Sequence, residues 1–219
     1  MDKCLIIMDA GGVIFDWPKE KIIESTNEIL KHNLQDSHGA NKLWRNFFRA
    51  ALVGKITFPE ARKRWGKKLG LSYGVIDEII RNDKMLYIKF TIPKRNINKV
   101  LRELKKACKI AILSNSVNTS KEMRSILKTV GINVKCFDKI FTSHDIGYKK
   151  PDPRAYKVVL DYFEAKPQNT IFIGHSESEL HGAKRLGMKT ISLGKNKYSD
   201  ISVKRISEIP SAVRCLKKG

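Results

Sequence analysis

The sequence predicts an α/β protein, a doubly wound parallel sheet carrying a second, mostly helical unit. Three observations predict it. Five short apolar runs, CLIIM (4–8), KIAILS (109–114), KIFTS (139–143), TIFIG (170–174) and KTISL (189–193), have the length and unbroken apolarity of strands buried on both faces. Amphipathic stretches separate the later runs, the alternation expected of a parallel sheet. Between the first and second runs, residues 19–90 break this rhythm with four helical patterns and no convincing strand. At 219 residues and 42% hydrophobic content, the chain can bury a sizeable core.

Taken in order, the first run stops on a carboxylate, Asp9, followed by Ala10, Gly11 and Gly12. Asp often opens a turn and a glycine pair often makes one, so a turn alone would explain these residues. EKIIESTNEILKH, ANKLWRNFFRAALVG, FPEARKRWGKKLG and GVIDEIIRNDKMLYIKF then carry apolar residues at helical spacing. We read residues 16–92 as a helical cap over a site, with Trp44, Phe47, Phe48 and Trp65 in its core, and residues 1–15 and 93–219 as the α/β core. NKVLRELKKAC (98–108) predicts a helix before the second strand, and SKEMRSILKTVG (120–131) one after it, closed by Gly131. DPRAYKVVLDYF (152–163) begins with an Asp cap and Pro153 at the first helical position. SELHGAKRLG (178–187) is a further helix ending on Gly187.

Composition narrows the setting. No apolar stretch of about 18 residues is present, so no membrane span is expected. The opening residues do not read as a signal peptide. Cys4, Cys108, Cys136 and Cys215 are scattered, which suits reduced thiols in a cytoplasmic protein better than a disulfide frame or zinc site. The net charge is +21, from 43 Lys and Arg against 22 Asp and Glu. Such a surface attracts polyanions, and weak non-specific binding to nucleic acid is one reading. The other is a solvated lysine-rich surface, since the basic residues are spread along the chain without an aromatic-interleaved stripe. Oligomeric state is not legible.

In open α/β sheets ligands bind beyond the carboxyl ends of the strands. The first strand delivers Asp9 there, the second Ser114 and Asn115, and the fourth Gly174 and His175; the third leads through HDIGYKKPDP to Lys149 and Lys150. A carboxylate, a hydroxyl, an amide and a lysine on one edge suit a small anionic substrate. Asp9 has the chemistry of a covalent nucleophile. Lys150 and Ser114 can hold phosphoryl oxygens, and the glycines let backbone N–H groups approach them.

Four segments carry a family resemblance. Asp9-Ala10-Gly11-Gly12-Val13-Ile14, Ser114 in AILSNS, Lys150 in GYKKPDPRAY (147–156) and GHSESELHGA (174–183) follow one another at family spacing. The chain resembles the haloacid dehalogenase-like hydrolase superfamily, in the branch whose helical cap lies between the first two motifs. The resemblance implies a Rossmann-like core and a phosphatase in which Asp9 forms an aspartyl-phosphate. It implies Mg²⁺ held by Asp9, the backbone carbonyl of residue 11 and acids at positions 175 and 179. Here the general acid/base position is Gly11, which has no side chain, and the metal-acid position is His175, with Glu179 as the last acid.

These departures leave alternatives open. A missing acid/base costs roughly 10²- to 10⁴-fold, and an imidazole is a poor exchange for a carboxylate on Mg²⁺. His175 could serve as acid/base or simply fill the lost ligand's space. A metal-free, dehalogenase-like hydrolase needs no leaving-group proton; a non-catalytic protein binding a phosphorylated ligand or polyanion is the third reading. Arg45 and Arg49, one helical turn apart, either select an anion or form an exposed basic face. His144 and His181 read as surface or helix-face residues, Asp145 as the start of the lysine loop, and Asp152 as a helix cap.

Overall fold

A computed structural model describes residues 4–34 and 39–218. Its elements, in chain order, are β1 (Cys4–Met8), β2 (Phe15–Asp16), α1 (Lys19–Asn33), α2 (Ala40–Leu52), α3 (Phe58–Lys68), α4 (Tyr73–Phe90), β3 (Ile92–Pro93), α5 (Ile97–Lys105) and β4 (Cys108–Ser114). There follow α6 (Ser120–Thr129), β5 (Lys139–Thr142), α7 (Ser143–Ile146), α8 (Pro153–Phe163), β6 (Thr170–Gly174), α9 (Glu177–Arg185), β7 (Lys189–Leu193), β8 (Ile201–Val203) and α10 (Ile209–Lys218).

Six strands form one parallel sheet in the order β5-β4-β1-β6-β7-β8. Each apolar run of the sequence has become a strand because both faces of the sheet are covered. Side chains alternate across a strand, so Ile6, Met8, Ile110, Ile112, Ile171 and Ile173 face one cluster with α5, α6 and α10. Leu5, Ile7, Ala111, Leu113 and Phe172 face the other, under α8 and α9. β1 is central, and the chain runs from it first toward β4 and β5, then crosses to β6 on its other side. That reversal of direction at β1 is where open sheets form ligand crevices.

Helix termini follow local chemistry. Thr119 and Glu122 make a reciprocal capping box at the start of α6, and Gly131 lies just past its end at φ 81°. Asp152 caps α8 by accepting from the Arg154 N–H, with Pro153 in the first turn, and it also pairs with the Arg154 side chain.

The four helices of residues 19–90 pack on one another around Leu30, Ala40, Trp65, Leu71, Ile76 and Ile79. Trp65 is buried and its indole N–H donates to the Ala40 carbonyl at 2.9 Å. The chain leaves and re-enters the sheet through an antiparallel pair the sequence reading did not anticipate: Phe15 opposite Pro93 and Asp16 opposite Ile92. Two-residue strands carry no periodic signal. Lys94 pairs with Asp16 at 2.8 Å and its N–H donates to the Ile14 carbonyl, so the two crossings are held together. β8, α7 and α10 are also additions to the expected elements.

Candidate active site

Asp9 lies one residue past the end of the central strand, 6% exposed, with its N–H donating to the Ile173 carbonyl of β6. Its Oδ1 accepts from the Ala10 N–H at 2.9 Å and from Lys150 Nζ at 2.6 Å. Its Oδ2 meets His175 Nδ1 at 3.3 Å. One carboxylate edge is therefore locked and the other faces a half-exposed ring.

The loop after Asp9 closes tightly, because the N–H groups of Val13, Ile14 and Phe15 all turn back to the Ala10 carbonyl. Gly12 sits at φ 78°, and a Cβ there would fall 2.7–2.9 Å from the His175 ring, so glycine is required twice over. Its N–H donates to the Phe15 carbonyl at 2.7 Å. That corrects the expectation that Gly12 offers its backbone to phosphoryl oxygens: its work is conformational. The Ala10 N–H is also engaged, which leaves Gly11 as the backbone donor of this turn. Gly11 is not in the left-handed region, and a Cβ on it would lie 3.3 Å from Trp17 Cδ1.

Lys150 is wholly buried. Nζ reaches Asp9 Oδ1 at 2.6 Å and Glu179 Oε2 at 2.8 Å, over the Phe172 ring. Glu179 Oε2 lies close to that ammonium without hydrogen-bond geometry. Asn115 binds this group together. Its Oδ1 accepts from the Lys150 N–H at 2.8 Å, and its Nδ2 donates to the Lys150 carbonyl at 3.0 Å and to Glu179 Oε1 at 3.1 Å. Both amide hydrogens are spent. The sequence reading had Asn115 on the substrate; the structure makes it the clamp that positions lysine and glutamate. Ser114, buried, ends β4, the strand beside β1.

The electrostatics follow from this packing. Burial pushes the Asp9 carboxyl up, but Lys150 and His175 outweigh it and hold it below the usual carboxylate range. Burial disfavours the Lys150 ammonium, yet Asp9 and Glu179 keep it charged and raise it. Glu179 is raised, chiefly by burial and then by the like charge of Asp9, despite Lys150. The hydrogen bond to Asp9 raises His175 above its ordinary value of 6.5.

The expected metal set was Asp9, the Gly11 carbonyl, His175 and Glu179. These donors do not fit Mg²⁺. Glu179 Oε1 accepts from Asn115, and Oε2, without a hydrogen bond, lies 2.8 Å from the Lys150 ammonium. His175 points a nitrogen at the very carboxylate edge a metal would share, and an imidazole is a poor exchange there for a hard carboxylate oxygen. Mg²⁺ asks for several hard oxygens in octahedral array. Among the described residues no three His, Cys, Asp or Glu side chains gather to hold a metal.

The remaining candidates fall outside the site. His144 Nδ1 lies 2.9 Å from the Ala51 carbonyl, joining α7 to the end of α2. Asp145 accepts from the Ser120 N–H. His181 stacks on Tyr198 with ring centres 4.2 Å apart. Arg45 and Arg49 are exposed on α2. Trp17, which no sequence motif singled out, proves to stand over the loop after Asp9.

Comparison with known proteins gives the family and the fold. The sequence profile of the haloacid dehalogenase-like hydrolases matches residues 6–193. The D-ribitol-5-phosphate phosphatase of Bacteroides thetaiotaomicron is 26% identical over 195 residues, covering 84% of this chain and 89% of that protein. The glyceraldehyde 3-phosphate phosphatase of Pyrococcus furiosus is 28% identical over 145 residues, covering 63% and 58%. In structure, a 2-haloacid dehalogenase from Pseudomonas syringae pv. Tomato superposes with a TM-score of 0.73 at 15% identity, over 98% of this chain and 99% of that one. Likeness at that identity speaks for the fold. With the profile spanning the sheet from within β1 to β7, the helical unit and all four motif segments, the chain belongs to the haloacid dehalogenase-like hydrolases.

Proposed function

We propose that this hydrolase is a phosphatase acting on small phosphate esters through an aspartyl-phosphate on Asp9. The observation that carries the reading is the wholly buried Lys150 ammonium, 2.6 Å from Asp9 Oδ1 at the end of the central strand. It fixes and ionises the carboxylate, and leaves Oδ2 as the oxygen able to attack. Charge on the transferred phosphoryl group would be met by Lys150, the Gly11 N–H and Ser114, with the His175 ring beside the attacking oxygen. Asn115 and Glu179 hold the lysine. Residues 16–92 act as the cap that chooses the substrate. The curated relatives named as phosphatases support the reaction class.

Mg²⁺ is the cofactor that the family resemblance implied, and the donor set argues against it here. Among the described residues no helix is long and apolar enough to cross a membrane. A cytoplasmic setting is part of this reading, as the scattered cysteines of the sequence suggested.

A second reading has one observation behind it. Gly11 supplies no proton to a leaving group, and displacement of halide from carbon needs none. The deciding experiment is a panel of phosphate monoesters, D-ribitol 5-phosphate and glyceraldehyde 3-phosphate included, beside a panel of 2-haloacids, each with and without Mg²⁺. Phosphate release abolished by Asp9→Asn supports the phosphatase. Halide release with no phosphate release overturns it.

A further inference from the structure

We infer that the leaving group departs from this site without a proton from the protein, so that the substrates are phosphates with weakly basic leaving groups (acyl, aryl or anhydride phosphates) rather than alkyl phosphates. This inference rests on the phosphatase reading and names the substrate class within it.

The first observation is Trp17. A Cβ at residue 11 would lie 3.3 Å from Trp17 Cδ1 and 3.5 Å from its Nε1. Gly11 itself brings no acid, and the indole stands against the position where a side chain two residues after Asp9 would begin. The ring is 40% exposed, and Tyr87 of α4 lies beside it with ring centres 6.1 Å apart. An indole N–H donates hydrogen bonds but gives up no proton in catalysis. Tyr87 does not replace it: burial pushes its phenol up to about 12.

The second observation is that the remaining titratable groups at the site are committed elsewhere. Lys150 lies between Asp9 and Glu179, and Glu179 has its oxygens on Asn115 and Lys150. His175 touches Asp9 Oδ2 at 3.3 Å. Phosphoryl transfer runs in line, with the leaving oxygen across phosphorus from the attacking one. A ring in contact with the attacking oxygen stands on the wrong side to protonate the group that leaves.

The reaction balances without an acid. A lone pair of Asp9 Oδ2 forms a bond to phosphorus, and the bond from phosphorus to the leaving oxygen breaks with its electron pair. A carboxylate, phenolate or phosphate anion is stable enough to leave in that form. An alkoxide is not, and it forfeits the roughly 10²- to 10⁴-fold that a positioned acid supplies. Water then attacks the phosphorus, inorganic phosphate and the Asp9 carboxylate are released, and the proton goes to solvent.

The test is a leaving-group series on the full chain: acetyl phosphate, aryl phosphates of graded phenol acidity, and glycerol 3-phosphate. The expected result is kcat/KM that rises steeply with leaving-group acidity. Acetyl and nitrophenyl phosphate should exceed glycerol 3-phosphate by about 10²-fold or more. Gly11→Asp, paired with Trp17→Ala to make room, should raise the glycerol phosphate rate far more than the nitrophenyl rate and flatten the series. The wild-type series stands alone if that variant does not fold. Comparable rates on alkyl and aryl phosphates in the wild type would overturn this inference and leave the phosphatase standing. No phosphate release from any member, by protein whose fold is verified, would overturn the phosphatase reading and this inference with it.

Discussion

Arg62 and Asp83 meet at 2.7 Å inside the helical unit, with both side chains 5% exposed; Lys150 and Asp9 meet at 2.6 Å at the sheet edge, with 0% and 9%. By distance and burial the pairs are nearly alike. Their surroundings are not. The Arg62 guanidinium lies over Trp44 at 3.9 Å and near Trp65 and Phe58, and its far nitrogen reaches the Thr26 hydroxyl. Its one positive charge meets one negative charge, and apart from that hydroxyl the rest of its shell is aromatic. Lys150 faces two carboxylates, and one of those, Asp9, presents its second oxygen to a half-exposed histidine. A buried pair closed on every side holds a structure; one with a second acid and an open edge can do chemistry. Distance and burial do not separate the two, and the unspent edge does.

Breaking each pair should therefore give opposite phenotypes, and this is the largest effect expected. Asp9→Asn keeps the shape and removes the nucleophile, so turnover should fall by about 10⁴-fold or more while the circular dichroism spectrum stays native. Asp83→Ala strands a buried guanidinium and should cost about 3–5 kcal/mol in urea unfolding, with activity per folded molecule retained. If Asp9→Asn unfolds the protein and Asp83→Ala does not, the assignment of roles is reversed.

Asn115 sharpens the comparison at the next level. The cap pair sits in an aromatic shell with the Thr26 hydroxyl beside it, whereas Lys150 is held through its own backbone by one amide. Asn115→Ala should lower kcat by roughly 10²-fold, the scale of an ångström-level misplacement. KM should change little if Asn115 positions the lysine, and a large rise in KM with kcat preserved would return it to the substrate. Asn115→Asp should not rescue, since a carboxylate cannot donate to the Lys150 carbonyl and Glu179.

The contrast also shows what the sequence could carry. The sheet was legible because strands buried on both faces are continuous apolar runs, and Asp9 and Lys150 because each follows such a run or sits in a motif segment. The antiparallel pair at Phe15 and Pro93 was not, because two residues have no period. α10 carries its own signal in Ile209, Ala212 and Val213, at helical spacing and all buried in the structure. Trp17 could not be found: its place over Gly11 depends on how the helical unit sits on the sheet, and nothing local encodes that. Asn115 was found but misassigned, since an amide that binds a ligand and one that binds a loop look alike in a sequence.

His175 gives a smaller, pH-dependent effect. Its folded pKa is raised above 6.5 by Asp9, so its pairing stabilises the fold fully below about pH 6.5 and loses that contribution as pH rises through the raised value. The difference in thermal midpoint between wild type and His175→Gln should therefore be greatest near pH 5.5 and shrink toward pH 9. A difference independent of pH would mean that the ring only fills space beside Gly12. His175→Asp should create a response to Mg²⁺ in thermal midpoint that the wild type lacks, because it exchanges a cation for an oxygen ligand beside Asp9.

The weakest effect expected lies on the surface, where cations are solvated. Near the amino end of the sheet, Lys99, Arg102, Lys106, Arg214 and Lys217 line a hollow of about 570 Å³, with Glu103 the acid among them and already paired with Arg214 at 2.6 Å. These charges are solvated, so they gain from a polyanion mainly through counterion release. At about 0.9 in logarithmic slope per phosphate, four contacts should weaken binding to any duplex about 10²-fold between 50 and 200 mM salt. Filter binding with unrelated sequences reads this directly, and replacing Lys99, Arg102 and Lys106 with Glu should lower both affinity and slope without altering turnover at Asp9. Lys150 and Asp9 are no part of this surface. Sequence-selective binding that survives 200 mM salt would mean that this surface is shaped for a partner and not merely charged, and would give the protein a second role unconnected to Asp9.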